Sequence, residues 1–413
     1  MSDASNSMIG RISRQFARRG RQLRHIWRTE GYHGINLRVR KLTAEKVRPK
    51  TVSLPVRSGD VVAADLSNPP RVRCPHAKPG EIIRLNWVMT PPAPSSGGHT
   101  TAFRIINFLQ RHGYANHIYF YDVNGADHQF YSDIVREYYK FDGQVSPLGQ
   151  TMEDAHGVFA TSWPTAYPVF NDRCAGKRFY FVQDYEPFFH AAGSAAVLAE
   201  NTYRMGFHGI TAGRWLAEKM LSDFIMQADY FDFGCDSASY PRLNSQRRDG
   251  IAFYAKPDVP RRGYELGIMA LEILAKRRPE LDLHFYGETV GSLPFKFINH
   301  GLVNTKQLNG IYNRCMAGLS LSLTNVSLVP LEMLAAGCIP VVNDAVHNRV
   351  VLDNSFICYA QANPPALAAE LERLAVMDKF EEYSRVASKS VVAATWEDAG
   401  AKVDAILRRL LEA

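Results

Sequence analysis

Residues 317–344 read A-G-L-S-L-S-L-T-N-V-S-L-V-P-L-E-M-L-A-A-G-C-I-P-V-V-N-D. Leu319, Leu321 and Leu323 recur at alternate positions, which predicts a strand over 317–323 in a sheet covered by helices. A short polar turn over 324–328 leads to Val329 and Pro330, where a helix carrying Glu332 begins, and Gly337 stands just past its end. Residues 338–342 form the next strand. The helix start presents free backbone N–H groups and a positive dipole end, so the neighbouring Asn325, Ser327, Leu328 and Val329 are placed to hold phosphate. Glu332, one turn inside, can accept hydrogen bonds from the hydroxyls of a bound ribose.

The same alternation runs upstream. A strand over 251–255 is followed by Lys256-Pro257-Asp258-Val259-Pro260-Arg261 and a long amphipathic helix over 264–277. Lys256 and Arg261 between strand and helix suit phosphate, the other reading being a solvated basic loop. A strand over 281–286 ends at Gly287, and a helix over 305–316 returns to the opening stretch. Downstream come a strand over 356–359, a helix over 365–376 and two C-terminal helices.

An earlier series begins with a strand over 81–90, the loop P-P-A-P-S-S-G-G-H and a helix over 101–111. Strand, glycine loop, helix is a phosphate-cradling order, which singles out Gly97, Gly98 and His99. Strands over 117–123, 157–162, 178–183 and 210–211 alternate with helices over 127–139, 195–205 and 214–221. The alternation predicts a parallel α/β sheet whose ligands gather at the carboxyl ends of its strands. Asp184 and Glu186 lie at one such end, as ligand contacts or as caps of neighbouring backbone. A polar stretch over 236–249 divides the two series.

The chain of 413 residues is 46% hydrophobic and 22% charged, long enough for two well-packed domains. Its net charge of +7 belongs to one end, because residues 1–50 hold 13 Lys/Arg against 3 Asp/Glu. Residues 8–28 form a basic amphipathic helix with two open readings: attraction to an anionic membrane surface, or an apolar stripe packed on the protein. Nucleic acid is not the expected partner, since the arginines lack interleaved aromatics and a recognisable module. No apolar run reaches the length of a membrane span, and the expected compartment is the cytoplasm, with peripheral attachment under the membrane reading. The six cysteines are scattered without a C-x-x-C pair, which predicts small core residues rather than disulfides or zinc ligands. The expected divisions are an extension and connector over 1–80, a first domain over 81–245 and a second over 246–413.

The opening stretch resembles the nucleotide-sugar motif of the family-four retaining glycosyltransferases through Glu332, Leu334, Ala335, Gly337, Pro340 and Val341. Pro330 is one residue nearer the glutamate than is usual in that family, and Thr324 stands where the family normally has a second glutamate contacting the sugar. Lys256 and Arg261 hold the places of an Arg and a Lys on the donor diphosphate, with the two cations exchanged. The resemblance covers residues 81–413 and implies the GT-B fold: α/β, two Rossmann-like domains facing each other across a cleft. It further implies that Gly97 and Gly98 face the donor diphosphate with His99 beside them, that Gly287 borders the donor, and that the segment around Leu302 reads the base. Y-F-V-Q-D-Y-E-P-F-F over 180–189 is similar to the rhamnosyltransferase branch that builds bacterial surface glycans. That similarity implies dTDP-L-rhamnose as donor, a surface polysaccharide or lipid-linked glycan as acceptor, and sugar contacts from Asp184, Tyr185 and Glu186. The expected activity is retaining hexosyl transfer without a metal or other cofactor, since no Asp-x-Asp occurs. The catalytic candidates are Lys256, Arg261, Asp184 and Glu186. The alternatives are a UDP- or GDP-linked hexose on the same fold, or a non-catalytic member that binds nucleotide sugar or membrane.

Overall fold

The computed structural model describes residues 54–412, apart from 95, 126, 244–247 and 327, together with scattered positions between 24 and 46. Residues 1–54 and 55–413 are separate compact units. In the first, the described positions between 24 and 46 are helical, and most of the basic segment 8–28 lies outside the described residues. Among the described residues, no helix is long and apolar enough to cross a membrane.

The second unit contains two wholly parallel sheets. The first holds β1 (Arg84–Met89), β2 (Ala115–Phe120), β3 (Gln144–Pro147), β4 (Gly157–Ala160), β5 (Lys177–Val182), β6 (His208–Ala212) and β7 (Ala228–Phe231), in the order β3-β2-β1-β4-β5-β6-β7. The second holds β8 (Gly250–Tyr254), β9 (Asp282–Tyr286), β10 (Ile298–Asn299), β11 (Cys315–Leu319), β12 (Ile339–Asn343) and β13 (Cys358–Ala360), in the order β10-β9-β8-β11-β12-β13. Each order reverses direction beside its first strand, at β1/β4 and at β8/β11. Such switch points open a crevice at the carboxyl ends of the strands.

Aromatic packing fills the first core. Trp87 stacks on Phe159 with centroids 3.9 Å apart, and Phe159 stacks on Phe179 at 4.8 Å. The final helix, Trp396–Leu411, buries Val403, Ile406 and Leu407 in this same core rather than in the second one. Gly400 passes so close to Phe108 that an added Cβ would meet the ring at 2.3 Å. The Tyr114 hydroxyl donates to Asp404 Oδ1 at 2.7 Å. Chain order grouped this helix with the second domain, 246–413, but its apolar stripe packs on the first sheet's helix Gly97–Arg111.

The elements not expected from the sequence include β3, β7, β10 and the helices Ser58–Ala63, Trp163–Asn171 and Val346–Leu352. The helix Trp163–Asn171 carries Pro164 in its first turn, where a missing N–H costs little, and a second proline, Pro168, within it. The strand expected over 317–323 is shorter, ending at Leu319. Beyond it, side chains replace the ladder. Ser322 N–H donates to Asn343 Oδ1 at 2.8 Å, and the Ser322 carbonyl meets Asn343 Nδ2 at 2.8 Å, His347 Nε2 at 2.9 Å and Asn348 Nδ2 at 3.2 Å.

Candidate functional site

The two sheets face a common cleft of about 1030 Å³ at the carboxyl ends of β1, β4, β5, β8 and β9. Its lining includes Gly97, Gly98, His99, Asp184, Glu186, Lys256, Arg261, Gly287, Leu302, Leu328, Val329 and Glu332. Asn325 lies behind the wall, fully buried. Ser327 lies outside the described residues.

Gly97 and Gly98 form the first turn of the helix Gly97–Arg111, so this helix opens into the cleft. An added Cβ at Gly97 would meet no atom within 4 Å, and one at Gly98 would touch only the Gln183 side chain. Neither glycine is demanded by packing, and a ligand can approach the backbone there. His99 is tied on both sides, its Nδ1 2.9 Å from Ser96 Oγ and its Nε2 3.1 Å from the Thr90 carbonyl. Burial lowers its pKa, so the neutral ring pins the glycine turn to the end of β1.

The cationic wall follows β8. Lys256 Nζ donates to Glu288 Oε1 at 3.0 Å and to the Gly287 carbonyl at 3.3 Å. Gly287 has φ +109°, and an added Cβ would lie 2.9 Å from the Ala255 carbonyl, so the approach of this turn to Lys256 requires glycine. The Arg261 guanidinium covers the Phe189 ring at 4.1 Å, and its Nε lies 3.5 Å from Asp184 Oδ2. Arg262 also lines the cleft, and its guanidinium donates to Ser322 Oγ at 2.9 Å.

Asp184 links the two walls. Its Oδ1 accepts from the Tyr185 N–H at 2.8 Å and the Asn325 N–H at 2.7 Å, while Oδ2 accepts from the Thr324 hydroxyl at 3.0 Å. Asn325 completes the link, its Nδ2 donating to the Gln183 and Ala212 carbonyls, both at 2.9 Å. Glu186 caps the Trp163–Asn171 helix: its Oε2 accepts from the Trp163 N–H at 2.6 Å and from the Tyr180 hydroxyl. Burial raises the Glu186 pKa to about 7, and the nearby Asp184 adds to the rise.

Glu332 sits on the helix Val329–Ala335. Burial raises its pKa to about 7 as well, against the pull of Arg104 and a hydrogen bond with Tyr240, while Asp236 pushes the same way as burial. Sequence reading did not single out Arg104 or Tyr240. Arg104 carried a signal, since it falls seven residues after Gly97 and therefore on the same helical face.

Residues 249–372 match the family described as WsaF, C-terminal domain. O-antigen biosynthesis protein RfbC of Myxococcus xanthus is 33% identical over 270 residues, which is 62% of this chain and 20% of that protein. The chain thus spans about a fifth of that relative's length. A TarM variant of S. aureus, in complex with fondaparinux, alpha-GlcNAc-glycerol and UDP, superposes with TM-score 0.62 over 80% of this chain and all of that one, at 10% identity. The pneumococcal O-GlcNAc transferase GtfA, in complex with UDP and GlcNAc, gives TM-score 0.58 at 10% identity, over 80% of this chain and all of that one. HepE of Anabaena, in complex with UDP and glucose, gives 0.57 at 11%, over 80% and 99%. Two parallel sheets, each with a switch point opening on a shared cleft, are the GT-B fold of these proteins, and this chain has that fold.

Proposed function

We propose that the chain is a retaining glycosyltransferase of surface-glycan assembly, taking its sugar from a nucleotide diphosphate. One observation carries the reading: the open turn at Gly97 and Gly98, the cations Lys256 and Arg261, and the carboxylate Glu332 converge on one cleft. The likeness to an O-antigen biosynthesis protein and to a WsaF domain supports it.

In this reading the nucleotide diphosphate lies along β8, where Arg261 and Lys256 offset the charge that grows on the leaving group. The helix N-terminus at Gly97 adds backbone donors. Glu332 takes the pentose hydroxyls. Asp184 and Glu186 hold the surrounding walls: Asp184 aims Arg261, and Glu186 fixes the helix beside it. Transfer proceeds on the face of the sugar that the diphosphate leaves, so the departing phosphate can take the acceptor's proton. The preferred donor is dTDP-L-rhamnose and the acceptor a polysaccharide or lipid-linked glycan. The second reading, a UDP- or GDP-linked hexose, has one observation in its favour. Glu332 offers two carboxylate oxygens, and a ribonucleotide presents two pentose hydroxyls where thymidine diphosphate presents one.

A thermal-shift panel of dTDP, UDP, GDP and their sugars tests the donor. A ligand at 100 times its Kd adds about 2.7 kcal/mol of stability, a clear shift of the melting transition. Glu332→Ala is expected to abolish the shift. The reading fails if no nucleotide stabilises the wild-type protein.

A further inference from the structure

Glu332 and Arg104 belong to opposite walls of the cleft. Arg104 rides on the helix Gly97–Arg111, two turns beyond the glycines, and lines the cleft with Gly97, Thr101 and Glu332. Its guanidinium is fixed from two further segments: it lies 4.5 Å over the Trp396 ring, at the start of the C-terminal helix, and 4.0 Å from Asp236 Oδ2 in the connection between the sheets. A cation stacked and paired in this way is aimed, not swinging in solvent.

We propose that Arg104 is a positioning residue that holds the Glu332 carboxylate ready to accept the pentose hydroxyls of the nucleotide donor. The proposal rests on the donor-site reading of Glu332 given above.

The groups around Glu332 explain why a cation is needed there. Asp236 adds like charge, and Tyr240 donates a single hydrogen bond. Cys235 is a neutral thiol, its pKa raised to about 12 by burial. Tyr286 and Tyr312 share a hydrogen bond of 2.8 Å, and their pKa values are raised well above the ordinary range by burial, so they are neutral. Arg104 is the cation among these neighbours. With the Glu332 pKa already at about 7, losing the Arg104 charge moves it further up, and the carboxyl is then protonated near neutrality. A protonated carboxyl loses part of its acceptor capacity and cannot receive two hydroxyl donors equally.

The sign follows directly. Glu332 binds the pentose as an anion, so affinity is full above its pKa and falls as pH drops through it. Titrating UDP and dTDP calorimetrically from about pH 6 to about pH 9 into wild type, Arg104→Lys, Arg104→Gln and Glu332→Gln reads this out. Glu332→Gln reports the ligand's own titration. Arg104→Gln is expected to bind about fivefold more weakly near pH 7 and nearly tenfold more weakly near pH 6, as for a carboxylate pKa moved by about one unit, and to recover most of the loss near pH 9. Arg104→Lys is expected to stay close to wild type. The proposal is overturned if Arg104→Gln follows the wild-type profile. It is equally overturned if Arg104→Gln is weakened by the same factor at every pH, which would assign Arg104 to direct ligand contact or to the fold. If the wild-type protein binds neither of these nucleotides and GDP fails as well, it is the donor-site reading that falls.

Discussion

A carboxylate has about four lone-pair directions, and Asp184 spends them on the protein. Two backbone N–H groups, one hydroxyl and one guanidinium surround it, drawn from both sheets. Truncating such a group leaves Arg261 half-buried beside Phe189 without its counter-charge, and breaking one side of a buried charge pair costs roughly 3–5 kcal/mol. Solvent reaches part of Arg261, so Asp184→Ala is expected to fall at or below the lower end of that range. Thr324→Val removes a single hydroxyl donor and is expected to cost about 1 kcal/mol. Urea denaturation of the two variants separates these values, and equal losses would mean that Asp184 is not the strut between the walls. Thr324 also gains a role that its place in the sequence did not suggest: it is the hydroxyl that meets this carboxylate from the opposite lobe.

The element that was most legible in the sequence is the run from β11 to β12. Pro330 near the helix start and Gly337 after its end are local signals, and local signals fix local structure, whereas the leucine alternation ran on past the strand, which ends at Leu319. The structure adds the reason for glycine at 337. Its φ is +77°, and an added Cβ would lie 2.5 Å from Ser384 Oγ and 3.0 Å from an Arg248 nitrogen. Both strains act together, so Gly337→Ala is expected to lose roughly 2 kcal/mol or more in denaturant midpoint measurements. A loss below about half a kcal/mol would show that the turn relaxes freely. What the sequence did not disclose at this scale has a common cause. The loop after Leu319 is held by Asn343, His347 and Asn348 from later in the chain, and the Trp163–Asn171 helix is capped by Glu186. Residues that act through partners distant in sequence leave no local period. Arg104 is of this kind, because an arginine on an amphipathic helix reads as a solvated face until the opposite wall is known.

At the scale of the whole molecule, the two parallel sheets followed from strand and helix alternation, while the attachment of the last helix did not. Trp396–Leu411 is an ordinary amphipathic helix in sequence, and only packing shows which sheet its apolar stripe covers. Leu407 is fully buried in the first core. Leu407→Ala is expected to cost roughly 2–5 kcal/mol. Its hydrogen-exchange signature is the sharper check: protection should fall in β1, β2 and Gly97–Arg111, far away in sequence, and be retained in β8 through β12. Loss confined to the second sheet would reassign the helix.

This attachment also orders events during synthesis. A chain leaves the ribosome from its N-terminus, and domains ordinarily close as they emerge. Here the first sheet is made early, yet part of its apolar face stays bare until residues 396–411 have been translated. Until then the apolar stripe of Gly97–Arg111 lacks its cover, and Arg104 lacks the Trp396 ring over which it lies in the folded cleft.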